Sequence, residues 1–260
     1  MTAVAGHLKI ERRDAVAILT LVNPQKRNAL DPPMLDALCD ALARLPQEGV
    51  RAVVLTGDGH KAFSSGYDIS ALPDADAASA PAESPLAKAL SAISDGAVPV
   101  IAALNGFAIG GGCELAATCD LRVAHADVTL AMPPVRLGIM YSPKGLARFV
   151  ALIGMSHTRE LFLTAQPIFA PRALDWGLVD AVVGAEDVVP VALELAREIA
   201  RGAPLALAGT RRALEALIPA PRPELAAELA ELQARAWISE DAREARAAFR
   251  EKRSPKFTGR

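Results

Sequence analysis

Pro99-Val100-Ile101-Ala102-Ala103-Leu104-Asn105-Gly106-Phe107-Ala108-Ile109-Gly110-Gly111-Gly112-Cys113-Glu114-Leu115-Ala116 is the stretch from which the rest of the chain can be read. Pro99 to Leu104 is a short apolar run, the length of a buried strand. Asn105-Gly106 and Gly110-Gly111-Gly112 then bracket a tight passage into a helix that starts near Gly111. The first turn of a helix leaves N–H groups unpaired, and such groups attract negative charge. A second segment, Lys61-Ala62-Phe63-Ser64-Ser65-Gly66-Tyr67-Asp68-Ile69, also follows a buried strand and a turn. Gly66 there frees the backbone so that the next N–H can point outward. Two loops that each present a backbone donor beside a strand end are the parts of an oxyanion hole. Taken singly, each also has a plainer use. A glycine triplet lets a helix pack closely on a strand, and Glu114 in a first helical turn complements the helix dipole.

Outward from this centre the chain alternates strands with helices. His7 to Arg13 and Ala15 to Val22 read as a hairpin broken at Arg13-Asp14. Asp31 offers an N-cap with Pro32 at the first helical position, and Met34, Leu35, Leu38, Leu42 and Leu45 recur at helical spacing. Arg51 to Thr56 is a buried strand stopped by Gly57-Asp58-Gly59. Pro73 to Pro85 is rich in Ala, Pro and Ser and reads as a mobile loop before a helix near Leu86 to Ser94. Asp120 to Ala124, Val128 to Ala131 and Leu178 to Val183 are strand-like. Helices are expected at Leu146 to Ile153, Arg159 to Thr164 and Ala170 to Trp176. After Glu186 every periodic segment is helical: about 187–201, 204–218, 222–239 and 240–253. Alternation of this kind means an α/β spiral or a parallel sheet, and an all-helical end excludes a TIM barrel.

The chain has 260 residues, 52% hydrophobic and 22% charged, so it folds and buries a core. Lys+Arg is 28 against Asp+Glu 30, a balance with no overall field for nucleic acid or an anionic membrane. The longest apolar runs fall far short of the roughly 20 residues of a membrane span. No secretion signal is visible at the N-terminus. Cys39, Cys113 and Cys119 show no paired spacing and read as reduced thiols in a cytoplasmic protein. There is no phosphate-binding G-x-x-x-x-G-K-[ST] loop, no G-x-G-x-x-G spacing and no G-x-S-x-G elbow, and the four histidines are scattered.

Together the two glycine-bearing segments resemble the enoyl-CoA hydratase/isomerase (crotonase) superfamily. The resemblance spans nearly the whole chain. It runs through Asn23-Pro24-Gln25-Lys26-Arg27-Asn28-Ala29-Leu30, Val53 to Gly57, Phe63 to Ile69, Pro99 to Gly106 and Gly110 to Asp120. It resumes at Leu161 to Thr164, Gly177-Leu178-Val179 and the tail Ala248 to Phe257. The resemblance implies an α/β crotonase-like ββα spiral over residues 1–190, with a helical trimerisation region over 191–260. It also implies a homotrimer or dimer of trimers. The implied substrate is an acyl-CoA thioester whose enolate is held by the amides of Tyr67 and Gly111, with coenzyme A entering as part of the substrate and no separate cofactor or metal.

Hydratases of this superfamily use two glutamates. The first corresponds to Glu114; the position of the second holds Pro134, which can neither accept nor donate a proton. Hydration by two carboxylates is therefore not expected, because each missing acid or base removes roughly 10²–10⁴-fold of rate. Isomerisation by one base, or decarboxylation of a malonyl-type CoA thioester, remains open, as does non-catalytic acyl-CoA binding. Pro134 to Tyr141, Ala203 to Ala206 and Ser239-Glu240-Asp241 resemble the methylmalonyl-CoA decarboxylases of the superfamily. Tyr141 matches a tyrosine at their site, whereas Tyr67 stands where they carry histidine. Lys26, Arg27, Ser65, Asp68, Ile69, Gly110, Pro134, Lys256 and Phe257 are the implied substrate and CoA contacts. Arg211-Arg212 reads as a helix surface.

Overall fold

The computed structural model describes residues 5–71, 84–219 and 222–260. The Ala/Pro/Ser-rich loop expected from Pro73 falls almost entirely outside them. The chain opens with the expected hairpin, β1 (His7–Arg13) antiparallel to β2 (Val16–Val22). Helix α1 (Pro32–Arg44) follows, its first turn capped by the Asp31 carboxylate, which accepts from the Met34 amide.

Three ββα turns come next: β3 (Ala52–Gly57), β4 (Ala62–Ser64) and α2 (Pro85–Ser94); β5 (Val100–Leu104), β6 (Phe107–Ile109) and α3 (Gly111–Thr118); β7 (Leu121–His125), β8 (Thr129–Ala131) and α4 (Pro143–Arg159). In each turn the first strand joins one sheet and the second strand joins another. The first sheet has the order β1-β2-β3-β5-β7-β10 and the second β4-β6-β8-β9, with β9 at Ile168–Phe169 and β10 at Ala181–Val183. Within each sheet the strands donated by successive turns run parallel. This is the ββα spiral the sequence led us to expect.

Period-two alternation along β2, β3 and β5 explains why both faces of the larger sheet are buried. Leu19, Leu21, Val53, Leu55 and Ala102 face the main core with α1, α2 and α3. Val16, Ile18, Ala52, Val54 and Ile101 face α6 (Val188–Ala200), which lays Val188, Ala192, Ala196 and Ala200 against them at four-residue spacing. Strands β4 and β6 lie within the glycine-bearing segments and β9 has two residues, and none of the three was visible in the sequence. The separate helix expected at Arg159 is instead a π-helical continuation, Glu160–Thr164, of α4, which kinks at Gly154 (φ 72°). Helix α5 (Ala170–Trp176) is ended by Gly177 as expected. The last quarter is helical: α7 (Pro204–Ala216), α8 (Pro223–Ile238) and α9 (Glu240–Glu251).

Candidate active site

Leu30 makes a single parallel bridge with Tyr67. Its N–H donates to the Gly66 carbonyl (2.8 Å), and its carbonyl accepts from the Asp68 N–H (2.9 Å). That pairing engages the peptide groups on either side of Tyr67 and turns the Tyr67 amide the opposite way. Gly66 takes φ 98° here, and a Cβ on it would lie 2.6 Å from the Ile109 carbonyl oxygen. Gly110 caps α3 with φ 54°, leaving Gly111 as the first helical residue. A Cβ on Gly111 would stand 3.2 Å from the Tyr67 nitrogen and 2.9 Å from Leu86 Cδ2. The two amides therefore lie close to one another, beside Leu86. Neither meets an acceptor among the described residues; for Gly111 this is the ordinary state of a first-turn N–H.

Glu114 lies three residues past Gly111, on the same face of α3 one turn along, and is 5% exposed. Its Oε2 accepts a short hydrogen bond from the Tyr141 hydroxyl. Tyr141 is fixed edge-on against Phe162 (5.3 Å), which meets Phe149 in the same way (5.0 Å). Ser142 caps α4 by accepting from the Gly145 amide (3.0 Å). Gly145 then clears room for the acid: a Cβ there would lie 2.6 Å from Glu114 Oε1 and 2.9 Å from Tyr141 Cε1. Burial pushes the Glu114 carboxyl up to about 7, against the opposing pull of the Tyr141 hydrogen bond and the Arg148 charge. Burial and the Glu114 charge push the Tyr141 hydroxyl well above its ordinary value.

Pro134 is buried and opens a one-turn 3-10 helix, Pro134–Leu137, closed by Gly138 at φ 65°. No second carboxylate acts on Glu114 among the described residues. Lys26, Arg27, Ser65 and Asp68 form one linked group. Lys26 Nζ donates to Asp68 Oδ2 (2.6 Å) and to Ser70 Oγ (3.1 Å). The Ser65 hydroxyl donates to the Lys26 carbonyl (2.8 Å), and the Ser65 amide to the Arg27 carbonyl (3.0 Å). Lys26 and the Ser70 hydrogen bonds hold the Asp68 carboxyl below its ordinary value despite partial burial. Ile69 begins a further 3-10 turn, half-buried. Lys256 and Phe257 are not brought to Glu114 within one chain. The Lys256 amide donates to Glu244 of α9 (2.8 Å), and Phe257 is 46% exposed.

Sequence reasoning missed Gly145, Arg148 and Phe162. Only the cap signal Ser142-Pro143 ahead of Gly145 could have pointed to the first of them. Arg211 also corrects the expectation of a helix surface. Its guanidinium is largely buried, donating to Asp120 Oδ1 (2.6 Å) and to the carbonyls of Gly96 and Ile93. Arg212 is exposed as expected. No group of three or more metal-ligating side chains occurs among the described residues, and none of their helices is long and apolar enough to cross a membrane.

Comparison with known proteins agrees with this architecture. The sequence model of the enoyl-CoA hydratase/isomerase family matches residues 11–260. The short-chain-enoyl-CoA hydratase of Clostridium acetobutylicum is 34% identical over 94% of each chain. The carnitinyl-CoA dehydratase of Salmonella enteritidis is 33% identical over 97% of this chain and 98% of its own. Among solved structures, a methylmalonyl-CoA decarboxylase in complex with 2-nitronate-propionyl-CoA superposes with a TM-score of 0.92 at 31% identity, covering 98% of this chain and 99% of that one. The carnitinyl-CoA hydratase of Mycobacterium avium gives 0.83 at 32% identity, covering 99% and 100%. The fold is thus that of the crotonase class of enzymes. The chain belongs to the enoyl-CoA hydratase/isomerase family.

Proposed function

We propose that the protein acts on an acyl-CoA thioester by stabilising its enolate between the amides of Tyr67 and Gly111, with Glu114 as the carboxylate acid/base and Tyr141 as its hydrogen-bonding partner. The observation that carries this reading is the closeness of two acceptor-free amides to one another beside a buried carboxyl whose pKa is raised to about 7. Charge that grows on a thioester oxygen is stabilised by donors already aimed at it, each worth about 3 kcal/mol in comparable sites. A carboxyl poised near neutrality can move a proton in either direction.

Within that frame the reaction is a single-acid conversion, such as double-bond isomerisation, in preference to hydration by two glutamates. Decarboxylation of a malonyl-type thioester is the second reading. It is favoured by Pro134 in place of an acid, by Tyr141 on Glu114 and by the likeness to methylmalonyl-CoA decarboxylase. Lys26, Arg27, Ser65, Asp68, Ile69, Gly110 and Pro134 form the near part of the substrate site in this reading. Lys256 and Phe257 serve a neighbouring subunit. Coenzyme A arrives with the substrate, and no separate cofactor is used. Residues 1–190 make the acyl-CoA-binding core together with Ala192, Ala196 and Ala200 of α6, which pack on its larger sheet, and the rest of 191–260 joins copies into a trimer or a dimer of trimers. Leu205, 90% exposed on α7, supports that assembly. Reduced thiols fit a cytoplasmic setting.

Product analysis by mass spectrometry and chromatography with crotonyl-, 3-enoyl- and methylmalonyl-CoA separates the readings. Isomerised product is expected, and loss of CO2 selects the second reading. Tight CoA-ester binding with no conversion of any of the three, or full activity in Glu114→Gln, defeats both.

A further inference from the structure

Helix α4 carries Gly145 and Arg148 three residues apart, so they share one face. Gly145 faces Glu114 Oε1, close enough that a Cβ there would lie 2.6 Å from it. Arg148 continues the same face one turn on and is 5% exposed. Its guanidinium donates to Glu215 Oε1 on α7, a side chain only 20% exposed. Guanidinium stays charged even when buried, so it needs a fixed counter-charge. Glu215 provides one from 67 residues away in sequence.

The other buried guanidinium near α3 is Arg122 of β7, which is spent on Asp180 (2.7 Å) and on the Cys119 carbonyl (2.7 Å) at the opposite end of the helix from Gly111. Strands β4 and β6 carry no titratable residue, and α2 offers only Lys88, which is exposed. On α4, Lys144 and Arg159 are exposed, and His157 is stacked on Trp176 (4.4 Å). Arg136, in the turn that precedes α4, is exposed as well. Cys113 and Tyr141 are the remaining titratable neighbours, and burial beside Glu114 holds both in their neutral forms.

We propose that Arg148 is a positioning residue for Glu114, setting the charge around its carboxyl, and that Glu215 of α7 holds Arg148 in place. The helical region outside the site thereby governs the acid/base group within it. The downward influence of Arg148 on the Glu114 pKa agrees with this arrangement. The inference rests on the reading of Glu114 as the acid/base residue, so its test must not depend on turnover alone.

The test is a 13C NMR titration of glutamate-labelled protein, with the Glu114 resonance assigned by its loss in Glu114→Gln. Arg148→Met removes the attracting charge and is expected to move the Glu114 midpoint up by on the order of one pH unit. Glu215→Gln keeps an acceptor for Arg148 but removes an opposing negative charge, so the midpoint is expected to move down. Arg148→Lys keeps the charge and should stay near the wild-type value. Opposite movements in Arg148→Met and Glu215→Gln are the signature of charge coupling, because loss of packing would not reverse its sign between the two. Midpoints that do not move, or that move together, overturn the proposal. If Arg148→Met fails to fold, Glu215→Gln decides alone: a lowered midpoint supports the coupling and an unchanged one overturns it. Turnover that survives Glu114→Gln would refute the acid/base assignment, while the NMR midpoints would still judge Arg148.

Discussion

The proton on Glu114 ties the stability of the fold to the chemistry proposed for this residue. Burial raises its carboxyl from the ordinary 4.5 to about 7, so the folded chain binds that proton more tightly than the unfolded chain does. The stabilising contribution is therefore complete below about pH 4.5 and is lost as pH rises through about 7. Glu114→Gln puts a neutral side chain of the same shape there. It is expected to melt above the wild type at pH 8 and close to it near pH 5, by calorimetry at both values. Equal melting temperatures at pH 8 would mean the carboxyl is not desolvated as described. In the same variant, turnover of the active CoA thioester is expected to fall by roughly 10²–10⁴-fold. Tyr141→Phe removes the hydroxyl that donates to Oε2 and so withdraws a donor from the ionised form. The acid limb of its kcat/KM profile is expected to move to higher pH, with a rate loss of about tenfold or more. An unshifted limb would show that Tyr141 only packs on Phe162.

Helices and strands bring these residues together through asparagine fasteners. The Asn28 side chain accepts from the Asn23 amide (3.1 Å) and donates to the carbonyls of Asp58 (3.0 Å) and Ala62 (2.8 Å). It thereby joins the end of β2 to the start of β4, the strand that leads into Gly66 and Tyr67. Asn28 itself sits at φ 56°, a conformation asparagine tolerates better than most residues. Asn28→Ala orphans buried backbone groups and is expected to lower stability by about 3 kcal/mol in urea unfolding. A loss under about 0.5 kcal/mol would be surface-like and would contradict the fastener role. Much at this scale was legible in the sequence. The Asp31 cap, the strand ending at Leu104 and the helix beginning at Gly111 are each written in consecutive residues. The short strands β4, β6 and β9 were not, because β4 and β6 lie within the two glycine-bearing segments that read as loops and β9 has only two residues. The kink at Gly154 was hidden because an isolated glycine within a helical pattern does not by itself break it. Gly145 and the Arg148–Glu215 pair could not be read either, since both depend on α3, α4 and α7 meeting in space.

Across the described residues, α7 is an element poorly explained by its own chain. It has no buried residue among its hydrophobic side chains, and Leu205 (90%), Leu214 (61%) and Leu217 at its end (76%) are exposed. What docks it is charge: Arg211 on Asp120 and Glu215 on Arg148. Ion pairs in partly buried settings give orientation more dependably than net stability, so α7 is held in direction while Leu214 and Leu217, three residues apart on one side, and Leu205 elsewhere on it stay open. A leucine fully covered by a neighbour gains about 1.5–3 kcal/mol, enough in combination to favour assembly. The proposed trimer would provide that cover. Sedimentation velocity on the wild type is expected to show a trimer or a multiple of it. The pair Leu214→Glu with Leu217→Glu, which would place charge against a neighbour, is expected to shift the chain to monomer. A variant that sediments as the wild type does would remove α7 from the contact. Because Glu215 follows Leu214 directly on that helix, the dissociated variant is also expected to turn over substrate more slowly. Its Glu114 midpoint should then move as well, linking assembly to the acid inside the spiral.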